Sequence, residues 1–449
     1  EIGSGETGRT TAHLTHAYDD RYYRIAALHG EKIAQLVAES HTYAIQAIED
    51  IIQTEGINCD FKRVDGYLFL DPTHSLEILQ KEYEATRKAG LEEVRLMMTP
   101  IINGFSTQPV LHFPRQAQFH PMKYLIGLAK AITKLGGDIY TNTAANEVKL
   151  SNMVRITTEQ KTIITAENVV IATNAPIFDR SFSFAKQEPM RSYVIGALIP
   201  NNALQTALYW DTHHPYHYVR LQPYSNAENI IIIGGEDHRT GEKIDDIHAP
   251  FKALEAWGRQ YFPEFTEVIY QWSGQVQEPT DLLAYIGQLH TKEKNVFIVT
   301  GDSGNGMTHG VIAGRLISDL ILNKKNKWTK VYDPHRTMFK NGQTLLKHNT
   351  LALSTYLRYL TPGEVSDKTN ISPGEGKIIR QGLQKVAIYR DDKGVFCEQS
   401  AVCTHMQAPL VWNPIEKTWD CPAHGSRFAP CGKVLQGPAK APLKKPKKS

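Results

Sequence analysis

Two short loops near the C-terminal end constrain this chain more than anything else in it. Cys403-Thr-His405 and Cys421-Pro-Ala-His424 each carry one thiol and one imidazole, and 15 residues separate His405 from Cys421. Four soft ligands on two loops must be brought together by a compact fold around them. The mixed set is the one a two-iron, two-sulfide cluster takes, with both cysteines on one iron and both histidines on the other. Tetrahedral zinc uses the same ligand types, so composition leaves both open. Spacing favours the cluster, because zinc knuckles usually pair two cysteines on one loop and two histidines on another, whereas each loop here mixes them.

The residues around the ligands go further. Cys421-Pro-Ala-His424-Gly-Ser426-Arg-Phe428 and the later Gly437-Pro438 resemble the second cluster loop and the proline loop of Rieske domains. The resemblance spans residues 363–449 and implies a small all-β domain holding a [2Fe-2S] cluster through Cys403, His405, Cys421 and His424. Respiratory members of that family add a cysteine to each loop and join the two as a disulfide clamp; the matching positions here are Ala408 and Ala423. The resemblance also implies a serine bonded to a bridging sulfide, present as Ser426, and a tyrosine bonded to a ligand sulfur, replaced by Phe428. Donors to the sulfurs stabilise the reduced cluster, so the expected potential lies within roughly −150 to +300 mV and away from the upper end. Cys59, Cys397 and Cys431 read as inert packing or surface thiols.

Upstream, apolar positions between Ile25 and Ile52 recur at helical spacing and predict two amphipathic helices ended by Gly56. Further helices are expected over 75–89, 121–135, 250–262 and 310–322, the second with Pro121 in its first turn. Strands are expected over 66–70, 138–140, 154–156, 162–165, 193–199 and 229–235. The apolar runs at 168–174 and 295–300 have the texture of strands buried in a parallel sheet.

Three glycine-bearing segments carry the chemistry of this half. Gly3-Ser4-Gly5-Glu-Thr7-Gly8-Arg9-Thr10-Thr11 offers backbone N–H groups and hydroxyls to an anion, which alone is a weak signal. It gains weight beside Val169-Val-Ile-Ala-Thr-Asn174 and Asn295-Val-Phe-Ile-Val-Thr-Gly301-Asp302-Ser-Gly304-Asn305-Gly306-Met307-Thr308-His309-Gly310. Together these resemble FAD-dependent oxidoreductases of the D-amino-acid oxidase class, more closely those like glycine oxidase and γ-glutamylputrescine oxidase, over about residues 1–325. The resemblance implies that Ser4, Gly5, Thr7, Gly8, Arg9, Thr10 and Thr11 line FAD from one side. Gly301, Asp302, Gly304, Asn305, Gly306, Met307 and Thr308 would line it from the other. The family's first strand and its G-x-G-x-x-G turn are not in the sequence, which lacks an initiator Met. The expectation is that they lie upstream of Glu1, that the longer protein binds FAD, and that this chain binds it poorly or not at all and is unstable.

No catalytic residue is assigned, because in such enzymes the cofactor performs the hard step. Arg191, Tyr193, His217, Tyr218, Arg220, His238 and His309 are polar candidates to face the flavin, each more readily structural than catalytic. The run Asp211-Thr-His213-His214-Pro-Tyr216-His217 imitates a metal site and reads instead as a polar loop.

The expected fold class is α/β plus β: a Rossmann-like FAD-binding domain with an inserted, mostly antiparallel substrate sheet, then a small all-β Rieske domain. The expected division is 1–187 for the FAD-binding domain, 188–290 for the inserted sheet, 291–330 for the return of the first domain, 331–362 for a helical connector and 363–449 for the Rieske domain. Its tail, from Lys440 to Lys448, reads as solvated and disordered. With 50 basic and 47 acidic residues the net charge of +3 makes no case for nucleic acid. No stretch approaches the roughly 18 apolar residues of a membrane span. Five cysteines in 449 residues do not make a disulfide framework, so a reducing, cytoplasmic setting is expected.

The function expected is that of a dehydrogenase. FAD takes two electrons from a small organic substrate, an amine or amino acid, and they leave singly through the cluster to an external protein or quinone acceptor. The same parts could run in reverse as a reductase. A metal-stabilised binding or sensing module without turnover is the alternative from another class.

Overall fold

The computed structural model describes residues 1–105, 108–150, 153–178, 183–242, 246–289, 295–336, 350 and 352–446. Part of the expected connector (337–349 and 351), and Lys447 and Lys448 of the tail, lie outside the described residues.

Among those residues the dominant element is a nine-stranded sheet. It is built from β1 (His13–Leu14), β2 (Lys62–Phe69), β3 (Arg95–Met97) and β4 (Val110–Gln118), together with β9 (Gln187–Pro200), β10 (Leu208–Asp211), β11 (Tyr218–Pro223), β12 (Glu228–Arg239) and β13 (Val268–Pro279). The order is β1-β4-β2-β10-β11-β12-β9-β13, with β3 on β4, and β2–β10 is its parallel pair. The expected insertion therefore supplies only part of the sheet. Strands from before residue 120 join it because Tyr67 and Phe69 of β2 bury against Tyr209 of β10 and against Phe251 and Leu254 of α5 (Ala249–Tyr261) in one apolar cluster. The long edge strand β13 is the one that matters for the site.

A second sheet runs β14 (Tyr285–Gln288), β15 (Val296–Thr300), β8 (Val169–Ile171), with β15 and β8 parallel. Every residue of β15 is buried, as its uninterrupted apolar run requires. Helices α1 (Tyr22–His29), α2 (Glu31–Glu55), α6 (Gly306–Ile321) and α7 (Thr329–Tyr332) pack on it. Helix α2 buries Leu36, Val37, Ala44, Ile45 and Ile48, and stops at Gly56, whose φ of 63° is left-handed. The remaining helices are α3 (Glu77–Lys88) and α4 (Pro121–Lys134), the latter opened by proline as the sequence implied. A small sheet of β5 (Ala145–Lys149), β6 (Val154–Thr158) and β7 (Ile163–Ala166) lies between. The strand expected at 138–140 does not form; Ile139 and Tyr140 are 42% and 72% exposed, so nothing buries a strand there.

The C-terminal part is all β. It comprises β16 (Gly376–Gln381), β17 (Gln384–Arg390) and β18 (Phe396–Ser400) in one sheet, and β19 (Val411–Asn413), β20 (Thr418–Asp420), β21 (Arg427–Phe428) and β22 (Val434–Gln436) in another. Its own core centres on Trp419, Phe428, Cys403 and Cys421.

A buried ion pair closes the flavin-side unit. Arg336, 9% exposed, meets the carboxylate of Asp281 at 2.5 Å and lies over the ring of Tyr285. Breaking such a pair leaves an uncompensated charge in low dielectric. Arg336→Gln is expected to lower the unfolding free energy in urea by about 3–5 kcal/mol; a negligible loss would remove the pair from the account of stability.

Candidate functional site

The two ligand loops are matched turns. In the first, Cys403 N–H donates to Ala408 O at 2.9 Å and Gln407 N–H to Cys403 O at 3.0 Å; in the second, Cys421 N–H donates to Ser426 O at 2.8 Å and Gly425 N–H to Cys421 O at 2.9 Å. Each turn points its cysteine inward. Cys403 and Cys421 are 1% and 0% exposed, unbridged, and their thiols lie within hydrogen-bonding reach of each other. The imidazoles of His405 and His424 sit edge to face with centroids 5.1 Å apart.

Zinc would take its four ligands as one tetrahedral group, whereas here the thiols sit with each other and the imidazoles with each other. A thiol pair beside an imidazole pair is the donor set two irons require. The backbone N–H of His405 points at Cys403 Sγ at 3.4 Å. Ser426 is fully buried, its Oγ accepts from Ala439 N–H at 3.0 Å, and its hydroxyl bonds the sulfur of Cys403. Phe428 is fully buried and has no hydroxyl to give. The histidine side faces outward: Tyr356 Oη donates to Met406 O at 2.8 Å, and a shallow cavity of about 430 Å³ lies over Tyr356, Tyr359, His405, Met406 and Gln407.

One sequence expectation fails here. Cys397 and Cys431 are not free thiols but a disulfide across 34 residues, tying β18, which leads into the first ligand loop, to the turn after β21. The two cysteines are far apart in sequence, and only the antiparallel folding of the domain makes them neighbours. Ala408 and Ala423 are buried at the positions without a clamp, and Cys59 remains a buried free thiol.

The flavin-side loop follows β15 and runs into the N-terminus of α6, which begins at Gly306, a turn earlier than the spacing indicated. A strand, a glycine turn and a helix N-terminus in succession aim backbone donors at an anion. Gly301, at φ 73°, makes the turn. Around it, Asp302 Oδ1, Asn305 Nδ2, His309 Nε2, Gln187 Nε2 and Gln277 Nε2 are buried without hydrogen-bond partners among the described residues. An unsatisfied buried polar atom costs about 1–3 kcal/mol. Five around one loop fit a large polar cofactor such as FAD. Gly306, Gly310 and Gly314 add a bare helix face beside it, all exposed. Met307 and Thr308 turn away, Met307 toward the cluster of Ala12 and Leu14, and Thr308 onto Asn305 O at 3.0 Å.

The N-terminal loop is placed along β13. Trp272 Nε1 donates to Arg9 O at 2.8 Å and Gln275 N–H to Glu6 Oε2 at 2.7 Å, while Ser303 N–H, in the other loop, donates to Gln277 O at 3.1 Å. Both loops thus meet one strand. Arg9 is engaged by Ser273 O and, at 2.7 Å, by Glu416 of the C-terminal domain. Ser4 and Gly5 are exposed, with Ser4 Oγ on Glu1 O; Thr10 Oγ1 accepts from Ala12 N–H, and Thr11 Oγ1 pairs with His13 Nδ1. Gly8, like Gly3, packs near Met122, so Thr7 and Gly8 sit over α4.

Most polar candidates are spoken for. Arg191 bonds Asp420, Tyr193 stacks on His238 at 5.3 Å, Tyr218 bonds Ser192, and Arg220 is held by Thr11 O. Burial pulls the His217 imidazole down, but hydrogen bonds to Asp211 and Glu236 outweigh it and push its pKa up to about 9. The 211–217 loop therefore satisfies its own polar groups. His309 is held neutral by burial, at about 4, beside His41 at 4.9 Å.

Sequence reasoning missed an acidic group. Asp20, Asp237 and Glu278 all feel the charge of Asp19, whose Oδ2 would lie 2.0 Å from a Cβ added to Gly304. Burial raises all four carboxyls, Asp20 to about 6 and Asp237 to about 7. Asp19–Asp20 stood in a polar run that could have flagged them; Asp237 and Glu278 sit near strand ends with no local mark.

A strand-glycine-helix loop with unsatisfied polar atoms, joined to a two-and-two thiol and imidazole set, defines a flavoenzyme fused to an iron–sulfur domain. Comparison agrees: a model of the FAD dependent oxidoreductase family matches residues 1–320, and one of the Rieske [2Fe-2S] domain matches residues 361–447. The chain belongs to the FAD dependent oxidoreductase family and carries a C-terminal Rieske domain. It is 30% identical over 99% of its length to a putative Rieske 2Fe-2S iron-sulfur protein, YhfW, of Bacillus subtilis, covering 86% of that protein. It is 24% identical to gamma-glutamylputrescine oxidoreductase of Escherichia coli, over 77% of this chain and 81% of that one. Glycine oxidase from Geobacillus kaustophilus shares the fold, with a TM-score of 0.62 at 18% identity over 75% of this chain and 90% of that one. The first domain binds FAD and the second a [2Fe-2S] cluster, which sets aside the reading as a module without turnover. Among the described residues no helix is long and apolar enough to cross a membrane.

Ser426→Ala is expected to lower the cluster potential by about 40 mV, the one-electron equivalent of a hydrogen bond of about 1 kcal/mol. An EPR-monitored redox titration reads it, and an unchanged potential would remove Ser426 from the sulfur environment.

Proposed function

We propose that the chain is a dehydrogenase that oxidises an amine or amino acid, a small cationic amine being the favoured substrate, and passes the electrons to an external protein or quinone acceptor. Cys403, His405, Cys421 and His424 hold the cluster. The glycine loop from Gly301 to Gly306 and the loop from Ser4 to Thr11 would hold FAD, which would supply a two-electron acceptor, and the cluster would supply a one-electron carrier.

The observation that carries this reading is the seam at Gln277. Its backbone oxygen accepts from Ser303 of the flavin-side loop at 3.1 Å. Its side-chain Nε2 lies 2.8 Å from the position of a Cβ on Gly425, the residue after His424. One residue thus spans the gap between the two cofactor loops. A flavoenzyme returning electrons straight to oxygen has no use for such a seam.

The acidic group supports the amine. Burial first, and then repulsion from Asp19, raises the carboxyls of Asp20, Asp237 and Glu278, and an ammonium group among them would offset both. Two of the buried arginines near the cofactor loops are already committed, Arg191 to Asp420 and Arg336 to Asp281. An amine must lose its proton before its carbon can yield a hydride. The Asp237 carboxylate, with a pKa of about 7, can accept that proton near neutrality. The relative named for gamma-glutamylputrescine is consistent with an amine substrate. A cytoplasmic setting is retained, with the Cys397–Cys431 bridge as the feature that setting must tolerate.

Anaerobic stopped-flow with diamines and amino acids tests the reading. Flavin bleaching followed by cluster reduction is expected with the amine, and Glu278→Gln should raise its KM roughly tenfold with a smaller effect on kcat. Flavin reduction with no later cluster reduction would defeat the relay, and a cluster that a physiological reductant bleaches first would reverse the flow.

A further inference from the structure

The C-terminal domain is held to the flavin side by far more than a tether requires. Arg191 on β9 and Asp420 at the end of β20 are both 2% exposed and meet at 3.1 Å. The other side of the guanidinium donates to Ser273 Oγ on β13 at 2.9 Å, and that hydroxyl donates to Glu416 at 2.7 Å. Glu416 also takes Arg9 at 2.7 Å and Arg427 at 3.4 Å, and Arg427 reaches Glu6 and Asp420 at 3.4 Å. Gln275 Nε2 donates to Gly425 O at 2.8 Å. Gly425 itself, at φ 78°, lies so close to Gln275, Gln277 and Pro189 that any side chain would collide with them.

We infer that Arg191 is a positioning residue for the cluster. Through Asp420, the residue before Cys421, it locks the second ligand loop onto β13, so the Rieske domain works docked in one geometry rather than swinging between two. Undocking would break Arg191–Asp420, Arg9–Glu416 and Arg427–Glu6 together and leave Arg191 without a carboxylate partner. Asp420 is itself fixed within its domain by Asn413, Thr418 and Arg427, so the acceptor that Arg191 meets is rigidly placed beside Cys421. The inference rests on the relay reading only for the direction in which electrons cross the seam.

The test uses the full-length protein carrying both cofactors, with Arg191→Gln, Asp420→Asn and the double variant. Two readouts are taken. On heating, loss of the cluster's visible absorbance and release of flavin are expected at one temperature in the parent, and at two separate temperatures in each variant. In anaerobic stopped-flow, the step from reduced flavin to cluster is expected to be independent of viscosity in the parent. In Asp420→Asn it should fall about tenfold and become inversely proportional to viscosity, as for a gated step. Should the single variants fail to fold, the double variant, which buries neither charge alone, carries the comparison. A parent whose cluster is lost well before its flavin, or whose transfer rate tracks viscosity, overturns the lock, as does a double variant indistinguishable from the parent. If no electron crosses the seam at all, the relay fails, and the heating experiment still decides the lock.

Discussion

The rest of the molecule depends on the strand β13 and the buried charges ranged along it. Over residues 272–278 it receives the N-terminal loop, the flavin-side glycine loop and the second ligand loop. Arg191, from the neighbouring strand, and Asp420 form the least exposed ion pair across the seam. Against the pull of burial, Arg191 and Arg427 hold the Asp420 carboxyl below its usual range. A charge so placed is stable only while its partners stay put, which converts a domain contact into a fixed geometry.

That geometry bears on what the iron–sulfur domain is for. The thiols are sealed inside and the imidazoles face outward, toward the cavity beneath Tyr356 and Tyr359. The second ligand loop touches the flavin side through Gly425, and the cavity by Tyr356 lies beside His405 of the first. The bridge between Cys397 and Cys431 secures the first ligand loop from a different direction than the respiratory clamp, whose positions hold buried alanines.

Much of the local structure was legible because it rests on local rules. Pro121 opened α4, Gly56 closed α2, and the unbroken apolar run of β15 marked a strand covered on both faces. Failures came where the outcome depends on distant neighbours. Ile139 and Tyr140 have strand-forming side chains but no surface to bury them. The β1–β4 strands joined the large sheet because β10 offered β2 a parallel edge, which no periodicity within either segment records. The disulfide and the acidic group were hidden for the same reason: Cys397 and Cys431 are 34 residues apart, and Asp19 and Glu278 belong to opposite ends of the flavin domain.

By itself the sequence determined the chemistry on offer: a Cys2His2 set mixed across two loops, one sulfur-directed serine, and a glycine loop between a buried strand and a helix. These follow from residue type and short spacing, which the chain carries wherever it goes. Tertiary structure alone decided that the two thiols pair beside the two imidazoles, that Arg9 and Glu6 serve the domain seam, and that Asp20, Asp237 and Glu278 come within electrostatic reach of Asp19. Those are properties of distances between segments, set by burial and charge pairing across hundreds of residues.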